Sequence, residues 1–256
     1  MSIRRRPKGT EMGVGALLGS GQVAEVFEWG DDVIKLYRSG QGKAQAFREA
    51  ANLALLEGRR LPIPRVYSVL QVDERWGLVM DRAPDGTFAE AMLRDATQMA
   101  PLLEVVVDLQ LQLQAQAGHG LTRLSDRLVW KIGAADQLSS GERADLLKRL
   151  HELPDGHQLG HGDFHPFNVM GPPNDPMIVD WLDATQGAQA ADACRSYLLL
   201  LHYRADVAAL YLELFLGVSG QNQDDVLAWL PVLAGARLAE RVPNEVERLL
   251  ALVRGA

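Results

Sequence analysis

Cys194 is the only cysteine in the chain, so no intrachain disulfide can hold the fold together. Long apolar runs are missing too. The most hydrophobic stretch, Ser196 to Gly217, is interrupted by Arg204, Asp206 and Glu213, which argues for a pair of buried helices and against a membrane span. The basic opening MSIRRRPKGTEMGVG has no apolar segment behind it, so it does not read as a secretory signal. An excess of positive charge is also lacking. With 26 Lys and Arg against 33 Asp and Glu the net charge is −7, and Arg4, Arg5, Arg6 and Lys8 read as a solvated terminus rather than a nucleic-acid arm. Neither repeats nor low-complexity segments occur. These absences leave a soluble protein of a reducing compartment, expected to be cytoplasmic, with no nucleic-acid or membrane partner.

What is present fits that class. Hydrophobic residues make up 47% and charged residues 23% of 256 positions, ordinary values for a globular chain large enough to need no staples. The charge is unevenly divided. Residues 1–83 hold 13 Lys and Arg against 10 Asp and Glu, whereas residues 84–256 hold 13 against 23, so the two parts carry +3 and −10.

The sequence pattern changes at the same place. Val14 to Leu18, Val23 to Trp29 and Val33 to Tyr37 are β-rich runs separated by Gly-Ser-Gly and Gly-Asp-Asp turns. Apolar residues Ala46, Ala50, Leu53 and Ala54 predict a helix over Lys43–Glu57, ended by Gly58, Pro62 and Pro64. Val66 to Val72 and Gly77 to Asp81 read as two more strands. Beyond Ala83 the pattern is mostly helical: Thr87–Thr97, Leu102–Ala117, a helix capped by Ser140 and running to Leu153, Ala190–His202, Val207–Leu216, Asp224–Ala234 and Pro243–Val253. Between Asn168 and Asp180 two short apolar runs flank Gly171-Pro172-Pro173-Asn174-Asp175-Pro176, which predicts a hairpin. A small β-rich lobe over 1–83 and a larger helical lobe over 84–256 follow.

The chemistry concentrates in His161-Gly162-Asp163-Phe164-His165-Pro166-Phe167-Asn168, followed by Ile178-Val179-Asp180-Trp181. Phosphoryl transfer needs a carboxylate to orient an acceptor hydroxyl and hard oxygen ligands for Mg²⁺ on the phosphates. Asp163 can supply the first, and Asn168 and Asp180 the second. The hairpin would return Asp180 to the same mouth as the loop.

These two segments together resemble the catalytic and metal loops of the aminoglycoside phosphotransferase family, relatives of the protein kinases. The resemblance implies an α+β, two-lobed protein-kinase-like fold: a small antiparallel sheet lobe with a larger helical lobe, and ATP in the cleft. It also orders the rest. Leu18-Gly19-Ser20-Gly21-Gln22-Val23-Ala24-Glu25-Val26 matches a glycine-rich phosphate loop, with Ala24 in place of a third glycine. Lys35, inside the apolar run Val33-Ile34-Lys35-Leu36-Tyr37, would face the phosphates with Glu49 as its ion-pair partner. Leu78 to Ala83 would form a hinge, with backbone near Met80 and Arg82 facing the base. Leu18, Val26 and Val33 would lie above the base, with Met170 and Val179 below it. His161 would support the metal loop, and Asp192 would anchor the catalytic loop from the following helix. His165 would approach the phosphates or orient the loop. Two positions depart from the family pattern: Phe167 stands where glycine is common, and Ala188-Gln189 replaces Asp-Pro.

The reading is therefore an ATP- and Mg²⁺-dependent phosphotransferase acting on a hydroxyl of a small molecule. The −10 of the second part tilts the acceptor toward a cation of the aminoglycoside or amino-alcohol kind. Two other readings stand beside it. A nucleotide-binding pseudokinase with a regulatory role would not need Asp163, Asn168 and Asp180 together. A zinc hydrolase using His161, Asp163 and His165, alternate residues on one strand face, would leave Lys35 and the glycine loop without a purpose.

Overall fold

The computed structural model describes residues 13–38, 40, 42–242 and 244–255. Arg4, Arg5, Arg6 and Lys8 lie outside them, as does Pro243, where the last helix was expected to begin. The chain divides into two compact units, Met1–Ala83 and Pro84–Ala256.

The first unit is an antiparallel sheet with one helix against it. Strands β1 (Leu17–Ser20), β2 (Ala24–Trp29) and β3 (Asp32–Tyr37) form a meander. Helix α1 (Gly42–Leu56) follows, and β4 (Val66–Val72) and β5 (Arg75–Met80) complete the order β1-β2-β3-β5-β4. Every residue from Val33 to Tyr37 is buried, because β3 is central and covered on both faces. Side-chain alternation sorts them. Ile34 and Leu36 join Val79 in an apolar cluster with Phe27, Trp29, Leu70 and Val72. Val33, Lys35 and Tyr37 point the other way, and the register pairs Lys35 with Val26 and Leu78, and Val33 with Met80. Gly77 is where β5 passes closest to β3. A Cβ there would stand 2.5 Å from the Lys35 carbonyl oxygen, so only glycine permits the pairing.

The second unit is helical with short strand pairs. Thr87 opens α2 (Phe88–Arg94) through a reciprocal capping box with Glu90. After a 3₁₀ turn come α3 (Met99–Gln114), α4 (Leu124–Ala134) and α5 (Ser140–Glu152). The cap of α5 is Ser139 and not Ser140: its hydroxyl accepts from the Glu142 amide, and the Glu142 carboxylate accepts from the Ser139 amide. Strand β6 (Gln158–Gly160) precedes the chemistry-bearing loop, and β7 (Val169–Met170) and β8 (Met177–Ile178) form the anticipated hairpin. Strand β9 (Thr185–Gly187) pairs with β6, a contact across 25 or more residues that no local pattern announced. Helices α6 (Gln189–Tyr203) and α7 (Ala205–Ser219) follow. The expected helix over 224–234 is two, α8 (Gln223–Leu227) and α9 (Leu230–Arg237), because Pro231 has no amide hydrogen to continue the ladder. The described chain ends with α10 (Val246–Arg254).

Helix α6 is the structural centre of this unit. Ala190 through Ser196 are all buried, including the charged Asp192 and Arg195. Buried charges demand partners, and their partners define the site.

Candidate active site

In the first unit Lys35 Nζ donates to Glu49 Oε1 at 3.0 Å and lies 2.8 Å from Oε2. The Tyr37 hydroxyl donates to the same carboxylate. With Lys35 5% and Glu49 0% exposed, this is a dry ion pair held between β3 and α1. Val26, Val33 and Met80 share the sheet face of Lys35 by register. Gly19 pairs with Val26 beyond a register shift in β1, and Gly21 donates its amide to the Ala24 carbonyl at 2.9 Å. Arg38 braces this turn from outside: Nη2 donates to Ser20 Oγ at 3.0 Å and to the Gly21 carbonyl at 3.2 Å. A Cβ added to Gly19 would meet nothing within 4 Å, so no neighbour among the described residues requires glycine there. Arg82 is turned onto Glu28 at 3.1 Å.

The second unit gathers the other predicted residues around one loop. Gly162 sits at φ +80°, and a Cβ would lie 2.2 Å from the Asp183 carbonyl oxygen. Glycine is thus obligatory at this turn, and it aims both its peptide groups at α6. Asp192 Oδ1 accepts from Gly162 N at 2.9 Å, and Arg195 Nε donates to the Gly162 carbonyl at 3.1 Å. Residues three apart on a helix share a face, so Asp192 and Arg195 grip the same residue. The other Asp192 oxygen accepts from Gln110 Nε2 at 2.9 Å and Gln114 Nε2 at 3.3 Å, both on α3.

Asp163 follows directly. Asn168 Nδ2 donates to the Asp163 carbonyl at 2.8 Å and to its Oδ2 at 3.3 Å, closing the loop on itself. The Val179 amide donates to the Asn168 carbonyl at 3.0 Å, which sets Asp180 beside Asn168. Asp180 has left-handed backbone, φ 65° and ψ 69°, before a 3₁₀ turn at Trp181–Asp183. His165 Nε2 lies 3.4 Å from Asp163 Oδ2, and the buried His165 Nδ1 has no hydrogen-bond partner among the described residues. Met170 pairs with Met177 in the hairpin and bridges to Thr87.

Burial by itself would raise the Asp163 carboxyl. The hydrogen bond and charge of His165, with the charge of Arg195, outweigh burial and hold it well below the usual carboxylate range. It is an anion at neutral pH. His161 goes the opposite way: burial dominates and lowers it, so the ring is neutral. It donates from Nε2 to the Val179 carbonyl at 3.1 Å and accepts the Asp163 amide at Nδ1, 3.3 Å away. Trp181 and Phe164 pack on the ring, with centroids at 4.6 and 5.5 Å. Both ring nitrogens are thereby committed to backbone. A zinc site of His161, Asp163 and His165 does not assemble, and among the described residues no three His, Cys, Asp or Glu converge on one metal position.

A charged cluster behind Asp163 was not anticipated. Arg195 Nη2 lies 3.4 Å from Asp163 Oδ1 and donates to Glu240 at 2.9 and 3.1 Å. Lys131 Nζ donates to Glu240 at 2.9 Å, Arg237 pairs with Glu240 and with Glu245, and Arg127 pairs with Asp183 at 2.8 Å. A cavity beside the loop is lined by Arg127, Lys131, Asp183, Asp192, Arg195 and Glu240. Burial would raise Glu240, but Arg195, Lys131 and Arg237 bring it down to about 2. Glu240 and Asp183 thus each already face a cation. The signal for Arg195 was legible as a charged residue in the apolar stretch Ala190–Leu201; the signal for Glu240 was not.

A family model described as a phosphotransferase enzyme family (APH) matches residues 15–230. The chain belongs to that family. Comparison with curated proteins finds no match. The structure of choline kinase LicA from Streptococcus pneumoniae is similar at a TM-score of 0.66 and 14% identity, covering 95% of this chain and 94% of that one. Aminoglycoside phosphotransferase APH(3'')-Id from Streptomyces rimosus, solved with ADP and streptomycin, has a TM-score of 0.60 and 19% identity over 83% and 90% of the two chains. An aminoglycoside-3'-phosphotransferase of type VIII gives 0.60 and 20% over 90% and 92%. The phosphotransferase fold is thus the protein-kinase-like α+β one that the sequence resemblance implied. No helix among the described residues of this family member is long and apolar enough to cross a membrane.

Proposed function

We propose that this phosphotransferase moves the γ-phosphoryl group of ATP to a hydroxyl of a small molecule. The observation that carries the reading is the loop in which Asp163 and Asn168 are hydrogen-bonded and Asp180 is tied alongside through Val179. Asp163 orients the acceptor hydroxyl. The hydroxyl oxygen forms the new bond to phosphorus, the bond to the β-bridging oxygen breaks, ADP leaves, and the proton passes to Asp163. A strongly ionised Asp163 suits a loose transition state, in which the attacking hydroxyl keeps its proton until late and positioning matters more than basicity.

Asn168 and Asp180 suit Mg²⁺. Asn168 spends its amide hydrogens on Asp163, which leaves its carbonyl oxygen, and Asp180 brings a carboxylate beside it. Two protein oxygens with phosphate and water is the usual complement for this ion. Bound there, Mg²⁺ would neutralise phosphate charge.

Lys35, kept in place by Glu49, contacts the α- and β-phosphates, while Gly19, Ser20 and Gly21 offer backbone to them. Open space at Gly19 supports close approach of a ligand. Val26, Val33 and Met80, with backbone near Arg82, contact the base. His161 and Asp192 hold the loop. For the acceptor, the charge beside the loop does not favour a cation, since Asp183 and Glu240 are matched by Arg127, Lys131, Arg195 and Arg237. The reading therefore rests on the hydroxyl and not on acceptor charge, and it places the enzyme in the cytoplasm.

The test is Mg²⁺-dependent ATP turnover against a panel of hydroxylated metabolites, amino alcohols and aminocyclitols. Asp163→Asn is expected to lower turnover by about 10²–10⁴-fold while ATP binding persists. Equal loss of both would overturn the role of Asp163, and ATP binding without transfer to any acceptor would favour a regulatory protein.

A further inference from the structure

We infer that Arg195 is a positioning residue for phosphoryl transfer, fixing the Gly162–Asp163 peptide and the Asp163 carboxylate in one orientation, with Glu240 as its anchor. The inference deepens the phosphotransferase reading of this loop and rests on it. Arg195 is 6% exposed and makes three contacts from one guanidinium: Gly162 O at 3.1 Å, Asp163 Oδ1 at 3.4 Å and Glu240 at 2.9 and 3.1 Å. The guanidinium is planar and rigid, so contacts along two of its edges fix its direction.

The unequal distances carry the argument. Glu240 holds Arg195 more closely than Asp163 does, and Glu240 is itself held by Lys131 and Arg237. Arg237 is fixed in turn by Glu245, with Nε and Nη2 each 2.7 Å from a carboxylate oxygen. Arg195 therefore keeps its place whether or not Asp163 is engaged with an acceptor. The long contact to Asp163 Oδ1 restricts the carboxylate without occupying it fully, which leaves it able to receive a hydroxyl. Asp192 completes the device by holding the other side of Gly162. A glycine with positive φ between two residues of α6 turns the direction of that helix into the direction of Asp163.

Kinetics of Arg195→Ala and Arg195→Lys test this, normalised to sites that bind nucleotide. Misplacement of a reacting group by ~1 Å costs about 10²-fold, so Arg195→Ala should lose roughly 10- to 100-fold in kcat with KM for ATP and acceptor within about twofold. Arg195→Lys, which keeps the charge and the Glu240 contact but not the fork, should recover a minor part. Added guanidinium ion should raise kcat of Arg195→Ala and leave Arg195→Lys unchanged. Retained kcat per site, or a rise in KM at constant kcat, would overturn the inference while leaving the phosphotransferase reading intact. A wild-type protein that binds ATP but transfers to no acceptor would sink that reading instead. Amide hydrogen exchange then decides the positioning role: faster exchange confined to residues 160–168 in Arg195→Ala supports it, and unchanged exchange there overturns it.

Discussion

Two buried charge arrangements stand in contrast, one in each unit. Lys35 and Glu49 pair across 14 residues, held between β3 and α1, with the Tyr37 hydroxyl on the same carboxylate. Around Asp163, charge is shared by Arg195, Glu240, Lys131, Arg237 and Glu245, drawn from three separated stretches of chain. When one member of a fully buried pair goes, the survivor keeps its desolvation cost without its opposite charge. A shared network redistributes: Glu240 has three cations, so losing one leaves two. The first arrangement should govern whether its unit folds, and the second how the loop is oriented.

The largest effect should come from Glu49→Ala. Breaking a buried pair on one side costs about 3–5 kcal/mol, and urea unfolding should show it directly. The double variant Lys35→Met with Glu49→Leu should regain much of that stability yet lose nucleotide affinity. If Glu49→Ala costs no more than Glu240→Gln, the contrast between pair and network is wrong.

Gly162→Ala comes next. A Cβ 2.2 Å from the Asp183 carbonyl at φ +80° forces the backbone to move, and a non-glycine residue held in such a conformation costs about 1–3 kcal/mol. Turnover should fall far more than the melting temperature does, because the displaced peptide is the one before Asp163. Full activity in this variant would mean that the turn is not needed to aim the carboxylate.

Acid should loosen the network in a definite window. Glu240 titrates at about 2 in the folded protein against an ordinary 4.5. Its contribution to stability is therefore complete above pH 4.5 and is lost as pH falls toward 2. Glu240→Gln removes that contribution, so wild type and variant should differ most in melting temperature above pH 4.5 and converge below it. A difference that grows on acidification would reverse the sign and refute the assignment.

Legibility in the sequence followed the same division. The sequence pattern marks β4 at its observed ends, and the family resemblance, not periodicity, is what pairs Lys35 with Glu49 on the following helix. Helix α4 is hard to read from the sequence because its stripe is narrow: Leu124, Leu128 and Ile132 recur every four residues, but the exposed Val129 and Trp130 blur it. The cap of α5 is legible too, since Ser139-x-x-Glu142 spells the capping box and marks Ser139 rather than Ser140. The β6–β9 pairing and the Arg195–Glu240 bond join residues 27 and 45 positions apart through segments of three residues or single side chains. Nothing periodic announces such contacts, and tertiary packing alone decides them.

The smallest effect should come from an ion pair that looks like a member of the network and is not. Arg241 Nη2 reaches Asp136 as closely as Arg237 reaches Glu240, yet the two side chains are 69% and 71% exposed. Water solvates both partners nearly as well apart as together, salt screens their attraction, and two long side chains lose freedom in meeting. Asp136→Asn should therefore leave the melting temperature and turnover unchanged within experimental error, at low and at high salt. Glu240→Gln, one residue away from Arg241 in sequence, should lower the melting temperature at neutral pH and slow turnover. Equal effects from the two substitutions would show that proximity of charge, rather than its burial and its link to Asp163, sets the behaviour of this unit.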